Sequence, residues 1–462
     1  MFRPDNPTLM VLYVFVVVAG CGSMGVGHSE AMPRTNSTLE LSTVSRQPLS
    51  LEPFDLEIVD SPSCPALAHS QHSVITVPSG DVESLIVVVK SAEPGTTILL
   101  EDGVYTLAPR QHLAVKSPHV TIRGASGNRE HVRVEGGSST FIVSANQVTI
   151  ADLTMKGPKF HHIHIRGERG VSGVRIYNVH LLDAGQQFIK VSAGDGKDHQ
   201  FGDHGLVACS LMEYTTFSKG NGKTSPTYTN GVDILAGKGW MIRDNVFRRI
   251  RSEKGPAGPA ILVWRNSIDT IIKRNVIVDC WRGIALGLAS PGKRSRGGMD
   301  VIYDHQNGLV EDNVILALHE SADAAIENNY ARDSKILHNT IFYGKGFSHA
   351  VNWGIEYRFR STSVTIQNNL SNLPIHHRFP FSFEEVVIEG NITNAQVGWF
   401  RGVLKEDVHL SPGADAIDAG VRLSGKHWDY DGVLRPIGDA PDVGADEFEG
   451  DVMPQNLSKE RH

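Results

Sequence analysis

From residue 240 onward, apolar and polar positions recur in one short phrase: an aliphatic residue, two variable residues, an asparagine, then an apolar residue or threonine. It reads IRDNVF at 242–247, IKRNVI at 272–277, VEDNVI at 310–315, ILHNTI at 336–341, IQNNLS at 366–371 and IEGNIT at 388–393. The asparagines, Asn245, Asn275, Asn313, Asn339, Asn369 and Asn391, lie 30, 38, 26, 30 and 22 residues apart. A phrase that stays constant while the gaps change predicts a solenoid whose loops vary around a fixed coil. The apolar runs are short, rich in β-branched residues and bounded by Gly, Asn and Asp, so the coils are built from strands. At the bend between two strands an Asn amide can bond the local backbone and the Asn of the next coil, which predicts an internal ladder.

The phrase persists upstream in weaker form, as VTIRGA at 120–125, VTIADL at 148–153, VRIYNV at 174–179 and LVACSL at 206–211. There the ladder position holds Ala125, Leu153, Val179 and Ser210. Ten repeats at about 4.8 Å per coil predict a rod roughly 45–50 Å long. Each coil covers its neighbour's apolar face, so the core is continuous although no coil folds alone.

A second strand family runs between the Asn phrases: FIKVSAG at 188–194, GVDILAG at 231–237, AILVWRN at 260–266, GIALGLA at 283–289, AAIENNY at 324–330 and WGIEYRF at 353–359. Alternation places Ile189, Val232, Ile261, Ile284, Ile326 and Ile355 inside. Their successors, Lys190, Asp233, Leu262, Ala285, Glu327 and Glu356, then form an outward column. A second column holds Ser192, Leu235, Trp264, Gly287, Asn329 and Arg358.

With these strands in place the chain resembles the right-handed parallel β-helix proteins, the pectin-lyase-like superfamily, over residues 80–450. DVESLIVVVKSAEPGTTILLEDGVYTL at 81–107 resembles that family's N-terminal cap: an amphipathic helix, a Pro-Gly stop and the first strand. SPGADAIDAG at 411–420 and DYDGVLRPIGDAPDVGADEFE at 429–449 resemble the closing segment of many bacterial secreted β-helix proteins. The resemblance implies an all-β, single-stranded right-handed parallel β-helix of about ten coils. It implies no one function, because the architecture carries lyases, hydrolases, epimerases, adhesins and spacers.

Composition adds limits. At 40% hydrophobic and 21% charged residues the bulk is neither disordered nor membrane-embedded. A net charge of −7, with no basic helix or aromatic-basic stripe, argues against a nucleic-acid partner. The N-terminus is more telling. Arg3 precedes the apolar run LMVLYVFVVVAG at 9–20, which is too short to span a bilayer and suits a signal-peptide core. Its ending, Val18-Ala19-Gly20-Cys21, resembles a bacterial lipobox, with Asp5 weakening the basic flank. The expected organisation is a signal peptide over 1–20, a lipid on Cys21, a flexible tether over 21–70, the β-helix with its caps over 71–450 and a disordered tail over 451–462. Gly22 after the cysteine implies the outer membrane, so a monomer anchored in the bacterial envelope is expected. Cys64, Cys209 and Cys280 have no CxxC spacing; Cys209 and Cys280 read as small core residues, and neither a disulfide framework nor zinc is expected.

Chemistry is expected on the second strand family. Trp264 beside Ala285 and Gly287 suggests an aromatic platform next to a trough, suited to a sugar face unless a loop covers it. Lys293, Arg294 and Arg296, in the long insert after that coil, are candidate contacts for an anionic chain, as are Lys190 and Arg358. Solvated loop charges are the alternative for the insert, and Lys190 is expected to pair with Asp233. Glu327 and Glu356, one coil apart at about 5 Å, must share a proton, an arginine or a cation. A salt-bridge cluster with Arg358, a Ca²⁺ site completed by Asn329 and a retaining-glycosidase pair are the three readings. His161, His162, His164, His199 and His204 read as polar surface.

One narrower likeness bears on mechanism. Lys238 in AGKGWMIRDNVF and Arg265 in ILVWRNSIDTIIKRNVI are similar to the Lys base and Arg acid of polysaccharide lyase family six, the alginate lyases and chondroitinase B. Gly239 stands where that family has Ser, Asn266-Ser267 replaces its His-Gly, and its Asn-Gly-x-Glu calcium motif is absent. The expected function is that of an envelope-anchored protein acting on a uronate-containing polysaccharide by β-elimination, with Lys238 and Arg265 as catalytic groups. The alternatives are a glycan-binding or scaffold protein of the same fold and, third, a glycoside hydrolase.

Overall fold

The computed structural model describes residues 64–68, 73–194, 200–344, 352–379 and 385–450. The leader, Cys21 and the 451–462 tail lie outside them. The described residues belong to one compact unit, Leu56–His462. Parallel strands wind into a right-handed parallel β-helix with three faces. The first face is a ten-stranded sheet running from Leu113–Val115 to Ile375–Arg378. The second and third faces are joined in a twenty-stranded sheet. The register follows the sequence phrases: Ile176 pairs with Val207, Val207 with Ile242 and Ile242 with Ile272. On the first face Ile189, Val232, Ile261, Ile284, Ile326 and Ile355 are all inside, at most 1% exposed.

The bend between the second and third faces explains the asparagines. At eight of the ten ladder positions the residue just before is a non-glycine in the left-handed region: Asp152, Asn178, Cys209, Asp244, Arg274, Asp312, His338 and Asn368 have φ between 49 and 57°. A non-glycine residue there costs about 1–2 kcal/mol, so the bend needs support. The ladder supplies it. Asn245, Asn275, Asn313, Asn339 and Asn369 each donate Nδ2 to the Oδ1 of the next asparagine at 2.8–3.0 Å. The same Oδ1 atoms accept the preceding coil's backbone N–H at 2.9–3.2 Å. Where the position holds Leu153 or Val179, one eight-residue strand passes over both faces (Thr149–Lys156, Arg175–Leu182). Where it holds Asn245, the strand breaks into Met241–Arg243 and Val246–Arg248.

At the N-terminal end the helix Val82–Ser91 is capped by Asp81, whose carboxylate accepts the Ser84 N–H at 3.0 Å. Leu85 and Val89 turn its apolar side onto the core. The C-terminal segment does something the phrase pattern hides. It lies along the third face and builds a second core, in which Val278, Val314, Leu316 and Phe342 meet Phe400, Val403, Val408, Leu410, Ala416 and Val443. Those strands are therefore apolar on both sides.

The cysteine expectation is corrected. Cys64 and Cys209 form a disulfide across 145 residues. Cys209 sits at the left-handed bend, where its side chain points away from the core, and among the described residues only Cys280 remains a free, buried thiol. The strap 64–68 runs up the coils from that bond: Pro65 O accepts from Tyr177 at 2.7 Å and Leu67 O from Arg123 at 3.0 Å.

Candidate functional site

The outward column of the first face carries two polar clusters separated by buried Leu262 and Ala285. In the upper one Lys190 and Asp233 are paired, as their neighbouring coils required. Asp233 also accepts the Trp264 indole N–H at 2.9 Å. Trp264 is half-buried, packed against Ala193, Phe201, Leu235 and Ala236, with the Arg265 guanidinium 4.3 Å from its ring centroid. Ala285 and Gly287 are buried, so the expected trough beside the indole is filled.

The corner leading to the second face gathers the remaining candidates. Asp203 accepts the Lys238 backbone N–H at 3.0 Å and an Arg296 N–H. Arg296 also donates to Ala236 O at 2.7 Å and stacks over Phe201 at 4.4 Å. It is thus a clamp folding the insert back onto the coil, where the sequence predicts a ligand contact. Lys293 and Arg294 on that insert are exposed. Asp304, fully buried, anchors the same insert by accepting the N–H groups of Arg265 and Leu288, each at 2.8 Å. Arg265 and Asn266 are both left-handed, φ 64° and 58°, and this double bend turns the Arg265 side chain back over Trp264.

Lys238 is half-buried, and its ammonium has no ion pair among the described residues. It stands one coil from Arg265 but not level with it. Leu235 pairs with Trp264, whereas Lys238 bridges to Ile268, so the coil carrying Arg265 has one extra residue in its bend. The His204 N–H donates to Lys238 O at 2.7 Å. A Cβ on Gly239, φ 64°, would lie 2.6 Å from His204 Nδ1. The glycine that departs from the family-six pattern is therefore required by the packing, and His204, a surface residue on its sequence pattern, belongs to this corner.

The lower cluster holds Glu327 and Glu356 in direct register, both 1% exposed. Arg358 lies between them, 3.0 Å from Glu327 and 3.3 Å from Glu356, and also donates to Asn329. Arg378 reaches Glu356 at 2.6 Å and Arg282 reaches Glu327 at 3.8 Å. Three guanidinium groups thus supply the counter-charge that the calcium reading assigns to a cation. Burial raises both carboxyls, Glu356 to about 6. Yet both carboxyls are already engaged by guanidinium groups, which weighs against the hydrolase reading. Arg282, Arg378 and His376, stacked 3.6 Å from Trp353, escape the sequence pattern because they lie outside the aligned columns or past the last one.

The histidines divide differently from their spacing. His161 and His164 are neighbours, ring centroids 5.2 Å apart, while His162 is fully buried beside Phe188. Burial pushes His161 and His162 down to about 3 and His164 to about 4, so all are neutral. His199 lies outside the described residues.

No protein-family model matches the chain, and no curated protein does. Solved structures do. The pectate lyase Pel9A matches with a TM-score of 0.54 at 13% identity, over 82% of this chain and 97% of its own. The tailspike protein of E. coli bacteriophage HK620, in complex with a pentasaccharide, gives 0.48 at 11% over 70% and 59%. A mannuronic acid specific polysaccharide family 6 lyase from human gut microbiota gives 0.45 at 14% over 69% and 80%. At such identities the likeness is one of fold: the chain is a right-handed parallel β-helix.

Proposed function

We propose that this protein cleaves a uronate-containing polysaccharide by β-elimination at the Lys238 corner. The observation that carries the reading is the Lys238 ammonium, without an ion pair among the described residues, one coil from the Arg265 guanidinium and the Trp264 ring. Elimination needs a base for the proton on the carbon bearing the carboxylate, and a positive group to hold the charge that develops there. Lys238 in its neutral form takes that proton. The electron pair forms a carbon–carbon double bond, and the adjacent glycosidic bond breaks with its pair leaving on oxygen, which takes a proton from solvent. Arg265 neutralises the carboxylate; it is never the base, because a guanidinium does not give up its proton. Trp264, held by Asp233 and carrying the Arg265 guanidinium over its ring, offers only its remaining exposed part to the neighbouring sugar. The fold shared with a pectate lyase agrees with this reading without selecting it.

We further propose that it works in an oxidising compartment, a reading the Cys64–Cys209 disulfide supports, and that a lipid on Cys21 anchors it there. A glycan-binding role without catalysis is the second reading. It draws on Lys190, Arg296 and Arg358, whose charges are already spent within the protein. Incubating purified protein with alginate, pectate, chondroitin and heparan separates the two. Elimination leaves an ultraviolet-absorbing unsaturated end, and binding alone leaves none.

A further inference from the structure

Away from that corner, on the second face, a cavity of about 270 Å³ lies between the sheet and residues 426–428 of the C-terminal segment. Met241, Ile271 and Leu309 give it an apolar floor, and Trp428 lines it from the C-terminal side. Arg243 lines it too, and Arg243 is the anomaly. It is 1% exposed, and its Nε and Nη2 have no hydrogen-bond partner among the described residues. Its Nη1 bonds Asp244, but Asp244 also receives two N–H groups of Arg274, at 2.8 and 3.2 Å. One carboxylate therefore serves two guanidinium groups.

A buried donor left unmade costs about 1–3 kcal/mol, more when it is charged. Such groups in native proteins are normally satisfied by a partner, a water or a ligand. The idle Nε and Nη2 form the side edge of the guanidinium, where two parallel N–H groups match the two oxygens of a carboxylate. The surrounding charge favours an anion. The carboxylate in the lining, Glu311, has one oxygen on Lys273 at 2.8 Å and the other on His427 at 2.9 Å. Lys335 and Lys426, also in the lining, are exposed and have no ion pair among the described residues. A basic pocket with an indole wall, smaller than a drug-sized site, has room for about one sugar ring.

We propose that this cavity binds the carboxylate of a single sugar-acid residue, with Arg243 as its bidentate partner and Trp428 against the ring. The site is separate from the Lys238 corner and does not depend on catalysis there.

Calorimetric titration of the whole protein with glucuronate, glucose and inorganic phosphate tests it. Glucuronate should bind saturably, and glucose about tenfold or more weaker. Lys426→Glu and Trp428→Ala should each weaken glucuronate about tenfold while leaving the melting temperature unchanged, and Arg243→Gln should abolish binding. Lys426 and Trp428 keep the test decisive should Arg243→Gln fail to fold. No saturable glucuronate binding overturns the proposal. So does binding that survives Lys426→Glu and Trp428→Ala but disappears in Lys238→Ala, which would place the sugar at the corner. Phosphate binding as tightly as glucuronate would overturn the assignment to a sugar acid.

Discussion

The backbone N–H of Ser210 donates to Asn245 Oδ1 at 3.0 Å, so the asparagine ladder begins on a serine. Ser210 Oγ in turn accepts the Val179 N–H at 3.2 Å, carrying the same role one coil further with a shorter side chain. Above that, Val179 and Leu153 have nothing to offer, and the strands run through the bend unbroken.

The first prediction is that a mid-ladder deletion is felt on both sides. Asn313 accepts from Asn275 and donates to Ile272 O, Glu311 O and Asn339 Oδ1, all without solvent. Asn313→Ala should cost about 2–4 kcal/mol by stranding buried partners, read as a lower chemical-denaturation midpoint. Asn391→Ala, at the partly exposed end, should cost less than half of that.

Arg358 anchors the second. Removing it leaves Glu327 and Glu356 buried with less counter-charge, so Arg358→Met should destabilise by about 3–5 kcal/mol. Chelation of divalent cations should leave the wild-type melting temperature where it is.

The third concerns the disulfide. Chain-entropy reasoning for a loop of 145 residues sets an upper limit of about 5 kcal/mol on its contribution. Reduction or Cys64→Ser should lower the melting temperature and make the 64–68 strap a site of early proteolysis.

A pH dependence arises from His409, which bonds Asp407 at 2.6 Å and Asp431 at 2.8 Å. Burial disfavours its charge, but the Asp431 hydrogen bond and the nearby Asp446 and Asp431 charges outweigh burial and raise it to about 9. The folded value lies above the unfolded 6.5. Its stabilisation is therefore fully present below pH 6.5 and is lost as pH rises through 9. Melting temperature should fall over that window, and His409→Gln should flatten the fall.

For catalysis, Lys238→Ala and Arg265→Ala should each reduce formation of unsaturated product by about 100-fold or more, with melting temperatures near wild type. Equal turnover in either variant removes that residue from the mechanism.

Much of this fold is legible in the sequence because its signal is local and repeated. Asn275 or Ile326 does in every coil what one coil needs, and the phrase therefore shows the register. The losses come from contacts made once. Cys64 finds Cys209 across 145 residues, outside any repeat. Arg296 looks like a ligand-facing or solvated loop charge in sequence because its partner, Asp203, lies 93 residues earlier in another bend. Lys238 and Arg265 look equivalent in sequence, whereas the extra residue after Trp264 sets Lys238 opposite Ile268. The cluster around Glu327 shows in sequence through the two columns that hold Glu356, Asn329 and Arg358, and Arg282 at the start of the neighbouring strand falls outside that frame.

The second core has a consequence in time. Val278, Val314, Leu316 and Phe342 form a finished, water-repelling wall as soon as their strands stack, yet Phe400, Val408, Leu410 and Val443 are made afterwards. A nascent chain that has just emerged to residue 390 thus presents a flat, greasy sheet with nothing over it. A stop codon or frameshift between residues 390 and 400 leaves the same wall bare, so the shortened product is expected to clump although its coils are complete.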